Sequence, residues 1–362
     1  MRAMVLQRPG SPLETMAVPS PEPRDNEVLV RVAVCAVCRT DLEIADGRLR
    51  APRYPLILGH QIVGRVAGYG HSVSTMREGE RVGVAWIHSA CGRCRWCRAG
   101  MENLCPDFRA TGCDVNGGYA ELVTVRADFV HPIPAGFSDA SAAPLLCAGA
   151  IGLRSLRLAN LSDGAALGLT GFGASAHLVL QLARHRFPNS RVFVFARNPA
   201  EQAFARELGA SWAGGTADDP PEPLAVIIDT TPAWTPVVEA LRHLSPGGRL
   251  VVNAIRKDDR DRAALMRLDY ASHLWMEREV KSVANVTRAD VRDFLAAAAS
   301  LELQPVVDEI PLERANDALE WLRSGGAIRG AKVLRVSGLS SHDGDGTRSS
   351  RKLPRKRTNA HE

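Results

Sequence analysis

The 362-residue sequence lacks any run of eighteen or more apolar residues, so no segment reads as a membrane-spanning helix. Its first stretch, MRAMVLQRPGSPLE, has no apolar signal core and no small-residue cleavage site, so a cytoplasmic protein with no membrane partner is expected. The body of the chain also lacks an excess of one charge. The formal charge is +5, but six Lys/Arg against three acids fall between Gly338 and Glu362, which leaves the rest near neutral. Such a body does not read as a nucleic-acid binder by charge. The tail itself, residues 339–362, is poor in apolar side chains and is expected to be disordered.

Cysteine is not scarce. Four of the eight cysteines fall within fifteen residues, in a chain with no export signal, so metal ligation is a better reading than disulfides. The run CGRCRWCRAGMENLC spaces Cys91, Cys94, Cys97 and Cys105 as C-x2-C-x2-C-x7-C. Four thiolates so spaced can close a tetrahedron around a structural zinc and staple a loop too polar to fold alone. An iron–sulfur cluster is the alternative. Ferredoxin-type runs, however, close with a gap of three, where this chain has seven before Cys105 and Pro106.

A second constellation runs from Cys35 to Gly64, with a thiol at Cys38 and an imidazole at His60. That pair suits zinc, and a catalytic zinc takes three protein ligands and keeps one open position. The third ligand must come from elsewhere.

The length calls for two domains. Glu27 to Val34 is rich in β-branched residues and follows Pro19, Pro21 and Pro23, which reads as a strand. From Gly59 to Val84, glycines recur between short Val-rich runs, the pattern of a small bent β-barrel, with a plain sandwich as the alternative. Asn116 to Val125 reads as a further strand after a Gly-Gly turn. From about Leu161, strands and helices alternate. Strands are expected at 165–170, 191–196, 225–229, 249–254 and 332–336, and helices at 290–300 and 311–323.

Between the first two of these strands lies GFGASA, with Gly171, Gly173 and Ala176 at G-x-G-x-x-G/A positions, Ala174 among the candidate cofactor contacts, and a helix following from His177. The first glycine permits a tight turn and the second lets a pyrophosphate approach the backbone. Ala176 allows close helix packing, and the helix N-terminus offers free N–H groups to phosphate. NAD-binding chains place an acid at the end of the second strand. This one has Ala196-Arg197-Asn198, and its first acid is Glu201 on the next helix. A guanidinium there suits a 2′-phosphate, so NADP is favoured over NAD; the alternative is that Arg197 is a solvated charge or stacks on adenine.

The order CxxCRTDL, GHxxxG, four-cysteine loop and lone Cys before a glycine-rich motif resembles the zinc-dependent medium-chain alcohol dehydrogenases of the small-alcohol type, over residues 1 to 338. The resemblance implies an α/β fold: a Rossmann-type doubly wound parallel sheet plus a GroES-like, mainly β catalytic domain. It divides the chain into a catalytic domain at 1–148, an NAD(P)-binding domain at 149–285 and a return segment at 286–338. It also implies hydride transfer between a small, primary alcohol or aldehyde and NAD(P), two zinc ions per chain, and a homodimer or homotetramer.

Taken alone, Cys147 reads as a buried apolar cysteine. The resemblance makes it the third ligand of the catalytic zinc, beside Cys38 and His60, and leaves Cys35 and Cys113 as free thiols. It assigns Thr40 to bond the substrate oxygen and pass its proton on. Asp41, the next residue, reads as an acceptor that orients His60, with a plain turn carboxylate as the alternative, and Arg329 is a candidate contact to the pyrophosphate. Trp86 matches an aromatic that narrows the substrate pocket, with a rim position in the barrel core as the alternative. Two positions depart from the family. Gln61 stands where the family has Glu behind the zinc, keeping the hydrogen-bonding shape without the charge. Glu43 stands where many members have the His that ends the proton relay and is the candidate to serve in its place, with a direct exit to bulk water as the alternative. Two other readings remain: a zinc-ribbon binding protein built on Cys91 to Cys105, and a dehydrogenase-like protein of low activity.

Overall fold

The computed structural model describes residues 1–325 and 329–336. The tail expected to be disordered lies outside the described residues. The first of two main sheets is organised on the strand Glu27–Ala36, whose Val28, Val30, Val32 and Val34 are buried. Gln61–Tyr69 pairs antiparallel along one edge, with register shifts at Leu29/Val30 and Val32/Val34. The other edge is shared. Its first half pairs with Leu122–Arg126 and its last residues with Ala331–Arg335. One strand serving three partners must bend, and the register shifts supply the added twist. Arg81–Val84 and Val130–Pro132 extend the sheet on one side, and Val307–Pro311 on the other. This is the bent β assembly the glycine-punctuated sequence called for. Its closing strand comes from the end of the described chain.

The second sheet is parallel throughout, in the order Trp212–Gly214, Val192–Phe195, Leu167–Thr170, Leu224–Asp229, Leu244–Val252, Glu279–Ser282. Every residue of Leu167–Thr170 and Val192–Phe195 is buried, as strands covered by helices on both faces must be. After Leu167–Thr170 the chain adds strands first on one side and then on the other. That reversal opens a crevice at the carboxyl ends of the strands. The expected strands at 165–170, 191–196, 225–229 and 249–254 all lie in this sheet.

The sixth strand, Glu279–Ser282, was not expected from the sequence. Its residues EVKS are all exposed and show no buried alternation. Among the described residues one stretch, Asp139–Ala159, has the length and apolarity of a membrane span, and 72% of its apolar window is buried inside the protein. There Leu145, Leu146, Leu153 and Leu156 join the core, which is the behaviour of a core helix.

Candidate active site

The thiols of Cys91, Cys94, Cys97 and Cys105 all lie within 4.8 Å of one another. Cys94 and Cys97 sulfurs are 3.6 Å apart and those of Cys91 and Cys97 3.9 Å. A disulfide needs about 2.05 Å. A tetrahedron with Zn–S bonds of about 2.3 Å has edges of about 3.8 Å, which matches. Burial pushes the Cys97 thiol up to about 12 and raises Cys105, while the loop backbone acts in the opposite sense on Cys91. Backbone amides of Arg93 and Cys94 bring the Cys91 thiol down to about 6. Cys97 N donates to Cys94 Sγ at 3.5 Å, capping the short helix Arg95–Arg98.

The second cluster is drawn from three distant places. Cys38 caps the helix Arg39–Ala45, His60 directly precedes Gln61–Tyr69, and Cys147 caps the helix Ala148–Ala159. Their ligand atoms also lie within 4.8 Å of one another. His60 is fully buried, and its Nδ1 is 3.0 Å from Asp41 Oδ1. Its Nε2 is buried with no hydrogen-bond partner. Leaving such an atom unsatisfied costs about 1–3 kcal/mol, and ligating a metal satisfies it. With Nδ1–H donated to the carboxylate, the Nε2 lone pair is the free one. Two thiols and one imidazole therefore fit zinc with one position open.

The same three groups are coupled electrostatically. The hydrogen bond from Cys147, reinforced by His60, holds the Cys38 thiol well below its ordinary value. That bond, with withdrawal from water, pushes Cys147 well above it. Burial works to lower the pKa of His60, but Asp41 and Cys38 overcome it and raise the imidazole to about 10.

Asp41 is saturated by its surroundings. Its Oδ2 accepts Cys38 N at 2.8 Å and the Tyr119 hydroxyl at 3.0 Å. Tyr119 escaped the sequence reading, which took NGGYAELVTV only as a strand. Its ring lies where only glycine is possible at position 59. Gly59 has φ +95°, and a Cβ there would stand 2.4 Å from Tyr119 Cδ1. Gln61 spans two ligand-bearing segments. Its Nε2 donates to Ala36 O at 3.3 Å, and its Oε1 accepts from Ala148 N at 3.4 Å.

Thr40 is half-buried on the first turn of the Cys38-capped helix. Glu43, on the same helix, is buried and engaged by guanidinium groups. It accepts from Arg39 at 3.1 Å and Arg48 at 2.7 Å, and Arg256 lies 3.5 Å away. Arg48 is five residues from Glu43, whereas Arg256 is brought to it by the fold, and no local motif announced it. Trp86 is buried with its indole edge-on to His60, 4.8 Å between ring centres.

At the parallel sheet, Gly171 has φ +79°, and a Cβ there would meet Thr231 Cγ2 at 2.9 Å. Gly173 is the N-cap of Ala174–Arg186, and no side chain caps that N-terminus. Ala174 is half-buried, and Ala176 is fully buried where the helix packs on the sheet. Open amides beside a glycine turn fit a pyrophosphate. Arg197 is exposed just past Val192–Phe195 and makes no ion pair among the described residues. Arg329 pairs with Glu207 and lies over Phe204, 4.9 Å from its ring centre. Phe204 in turn meets Phe172, between the two glycines, at 5.6 Å.

The profile of the family described as "Alcohol dehydrogenase GroES-like domain" matches residues 24–135. The chain is 43% identical over 345 residues to the "Probable alcohol dehydrogenase AdhA" of Mycobacterium tuberculosis (strain CDC 1551 / Oshkosh), covering 93% of this chain and 97% of that one. It is 32% identical to an "Alcohol dehydrogenase" of Geobacillus stearothermophilus, covering 93% of this chain and 99% of the relative. A cinnamyl alcohol dehydrogenase of Sorghum bicolor superimposes with a TM-score of 0.83 at 25% identity, covering 94% of this chain and 99% of that chain. On these likenesses and the fold that carries them, the chain belongs to the medium-chain alcohol dehydrogenase family and is an alcohol dehydrogenase-type oxidoreductase.

Proposed function

We propose that this dehydrogenase is zinc-dependent, holds two zinc ions per chain, and transfers hydride between a small primary alcohol or its aldehyde and a nicotinamide dinucleotide, NADP in preference to NAD. The observation that carries the reading is the unpartnered, buried His60 Nε2 facing the thiols of Cys38 and Cys147. A zinc held there supplies Lewis-acid polarisation of the substrate oxygen through its open position. The remaining work falls to side chains. Asp41 fixes the imidazole tautomer, and Tyr119 fixes Asp41. Gln61 holds the backbone beside Cys147 without adding charge. Thr40 accepts the substrate hydroxyl proton in a hydrogen bond and passes it outward. Glu43, loaded with arginines, is a poor next acceptor, so the proton leaves Thr40 through water. Trp86 walls the pocket beside His60 and restricts it to small alcohols.

A dinucleotide would be held in the crevice by the turn at Gly171, Gly173 and Ala174, with Ala176 letting the helix pack close behind it, Arg329 alongside, and Arg197 available to a 2′-phosphate. Residues 1–148 and the return at 286–338 carry the metal chemistry, and 149–285 carries the cofactor. A homodimer or homotetramer is supported by exposed Met266, Tyr270, Trp275 and Val280 beside the open edge strand Glu279–Ser282. No two of the eight cysteines are joined in a disulfide, which supports a cytoplasmic protein. Metal analysis of the purified protein, with steady-state kinetics on an alcohol and aldehyde panel with each cofactor, tests the reading. One zinc per chain, or no zinc-dependent turnover, overturns it.

A further inference from the structure

The Trp86 indole N–H donates to Asn285 Oδ1 at 2.9 Å. Asn285 is 199 residues further along the chain, just before Thr287, the N-cap of the helix Arg288–Ser300. It has φ +53°, a left-handed conformation that asparagine tolerates better than most residues. Both flanks of Asn285 are gripped by consecutive residues of the four-cysteine lobe. Asn103 Nδ2 donates to Ala284 O at 2.6 Å. Glu102 Oε1 accepts the backbone N–H of Arg288 at 2.7 Å, and Glu102 also receives the Arg288 guanidinium. Glu102 and Asn103 are themselves buried. The lobe between Cys97 and Cys105 thus clamps a short span, and the span offers one amide oxygen to one indole.

We infer that Asn285 is a specificity-determining positioning residue, which pins Trp86 as a rigid wall beside His60 while Glu102 and Asn103 hold Asn285 in register. The inference rests on the alcohol dehydrogenase reading of Cys38, His60 and Cys147, because the wall matters only where a substrate oxygen approaches His60. A buried indole N–H needs an acceptor, and an indole that loses it turns to find another. Pinned, the ring stands edge-on to the imidazole and bars wide alcohols. Released, it admits them.

Asn285→Gly removes the amide while keeping a residue suited to positive φ. Asn285→Asp keeps an acceptor oxygen in place. Trp86→Phe keeps a ring and removes the donor. In Asn285→Gly the ratio of kcat/KM for a wide alcohol such as benzyl alcohol to that for ethanol rises about tenfold, whereas Asn285→Asp stays within about twofold of the native protein. The double variant Trp86→Phe/Asn285→Gly gains no more than Trp86→Phe alone, since both act through one contact. Trp86 emission is read as the difference between the native protein and Trp86→Phe. In the Asn285→Gly background it shifts to the red and becomes more open to acrylamide quenching.

Unchanged emission and quenching overturn the pinning. A shifted emission with an unchanged substrate ratio overturns the role in specificity. Native turnover with an unchanged ratio sinks this inference alone. Native protein that turns over no alcohol sinks the dehydrogenase reading and this inference together.

Discussion

Cys91, Cys94, Cys97 and Cys105 come from fifteen consecutive residues, and three of them are only half-buried. Cys38, His60 and Cys147 are gathered from over a hundred residues around a wholly buried imidazole. The first set is shaped by its own backbone amides and makes few demands on the rest of the chain. The second is shaped by the fold. A helix cap, a strand start and a second helix cap meet, and Asp41, Gln61 and Tyr119 hold the meeting point. If both centres hold zinc as proposed, the local one depends on its metal to keep its shape, while the distributed one has its geometry before any metal arrives. Substitutions in the two centres should accordingly fail in different ways.

The largest contrast is expected from Cys147→Ala. Turnover falls on the order of a thousandfold, since several kcal/mol of substrate polarisation are lost. Bound zinc drops from two to one, while the melting temperature stays within a few degrees. Equal loss of activity and stability would erase the distinction between the centres. Acid probes the scaffold both share. Burial, with Arg288 and Arg292 nearby, holds His131 down to about 4, and burial does the same to His177. Both stay neutral in the fold where the unfolded chain, with pKa near 6.5, takes up protons. Their contribution is complete above about pH 6.5, is lost as pH falls toward 4, and is at most about 3 kcal/mol each. Urea unfolding at pH 7 and pH 4.5 should show the loss, reduced in His177→Gln.

Cys97→Ala is the mirror of Cys147→Ala. It lowers the melting temperature by about 5 °C or more and opens residues 91–105 to proteolysis, with the second zinc retained. Asp41→Asn sharpens the comparison inside the buried centre. It keeps the shape and removes the charge facing His60, and chelator competition should show zinc held about tenfold to a hundredfold less tightly. The smallest effect is expected away from both proposed metal sites, where Arg197→Asp shifts the NADP-to-NAD ratio of kcat/KM about tenfold toward NAD. An unchanged ratio rejects Arg197 as the 2′-phosphate contact.

The same contrast explains what could be read from the chain beforehand. The four-cysteine loop and the glycine turn at Gly171 are sequence-local, so spacing alone announced them. Cys147 was legible only through likeness to a family, because nothing near it in sequence shows that it faces Cys38. Asp41 and His60 were paired in advance, but Tyr119, the other partner of Asp41, was not. Its hydroxyl reaches the site only because Gly59 lets the ring lie flat against the backbone. Arg256, beside Glu43, stayed hidden for a similar reason, arriving from the loop after Leu244–Val252. The edge strand Glu279–Ser282 carried no pattern to find, since none of its side chains enters the core.

The strand Ala331–Arg335 takes its place against Glu27–Ala36, with Val37 N bonded to Lys332 O at 2.8 Å and Val336 N to Ala33 O at 2.9 Å. During synthesis, the sheet that presents Cys38 and His60 waits with an unpaired edge until residues 331–335 have left the ribosome. The parallel sheet, whose strands run from Leu167 to Ser282, is complete well before that. Such long-range closure makes for slow maturation, and it leaves the nascent N-terminal half exposed to chaperones for longer than the half that follows it.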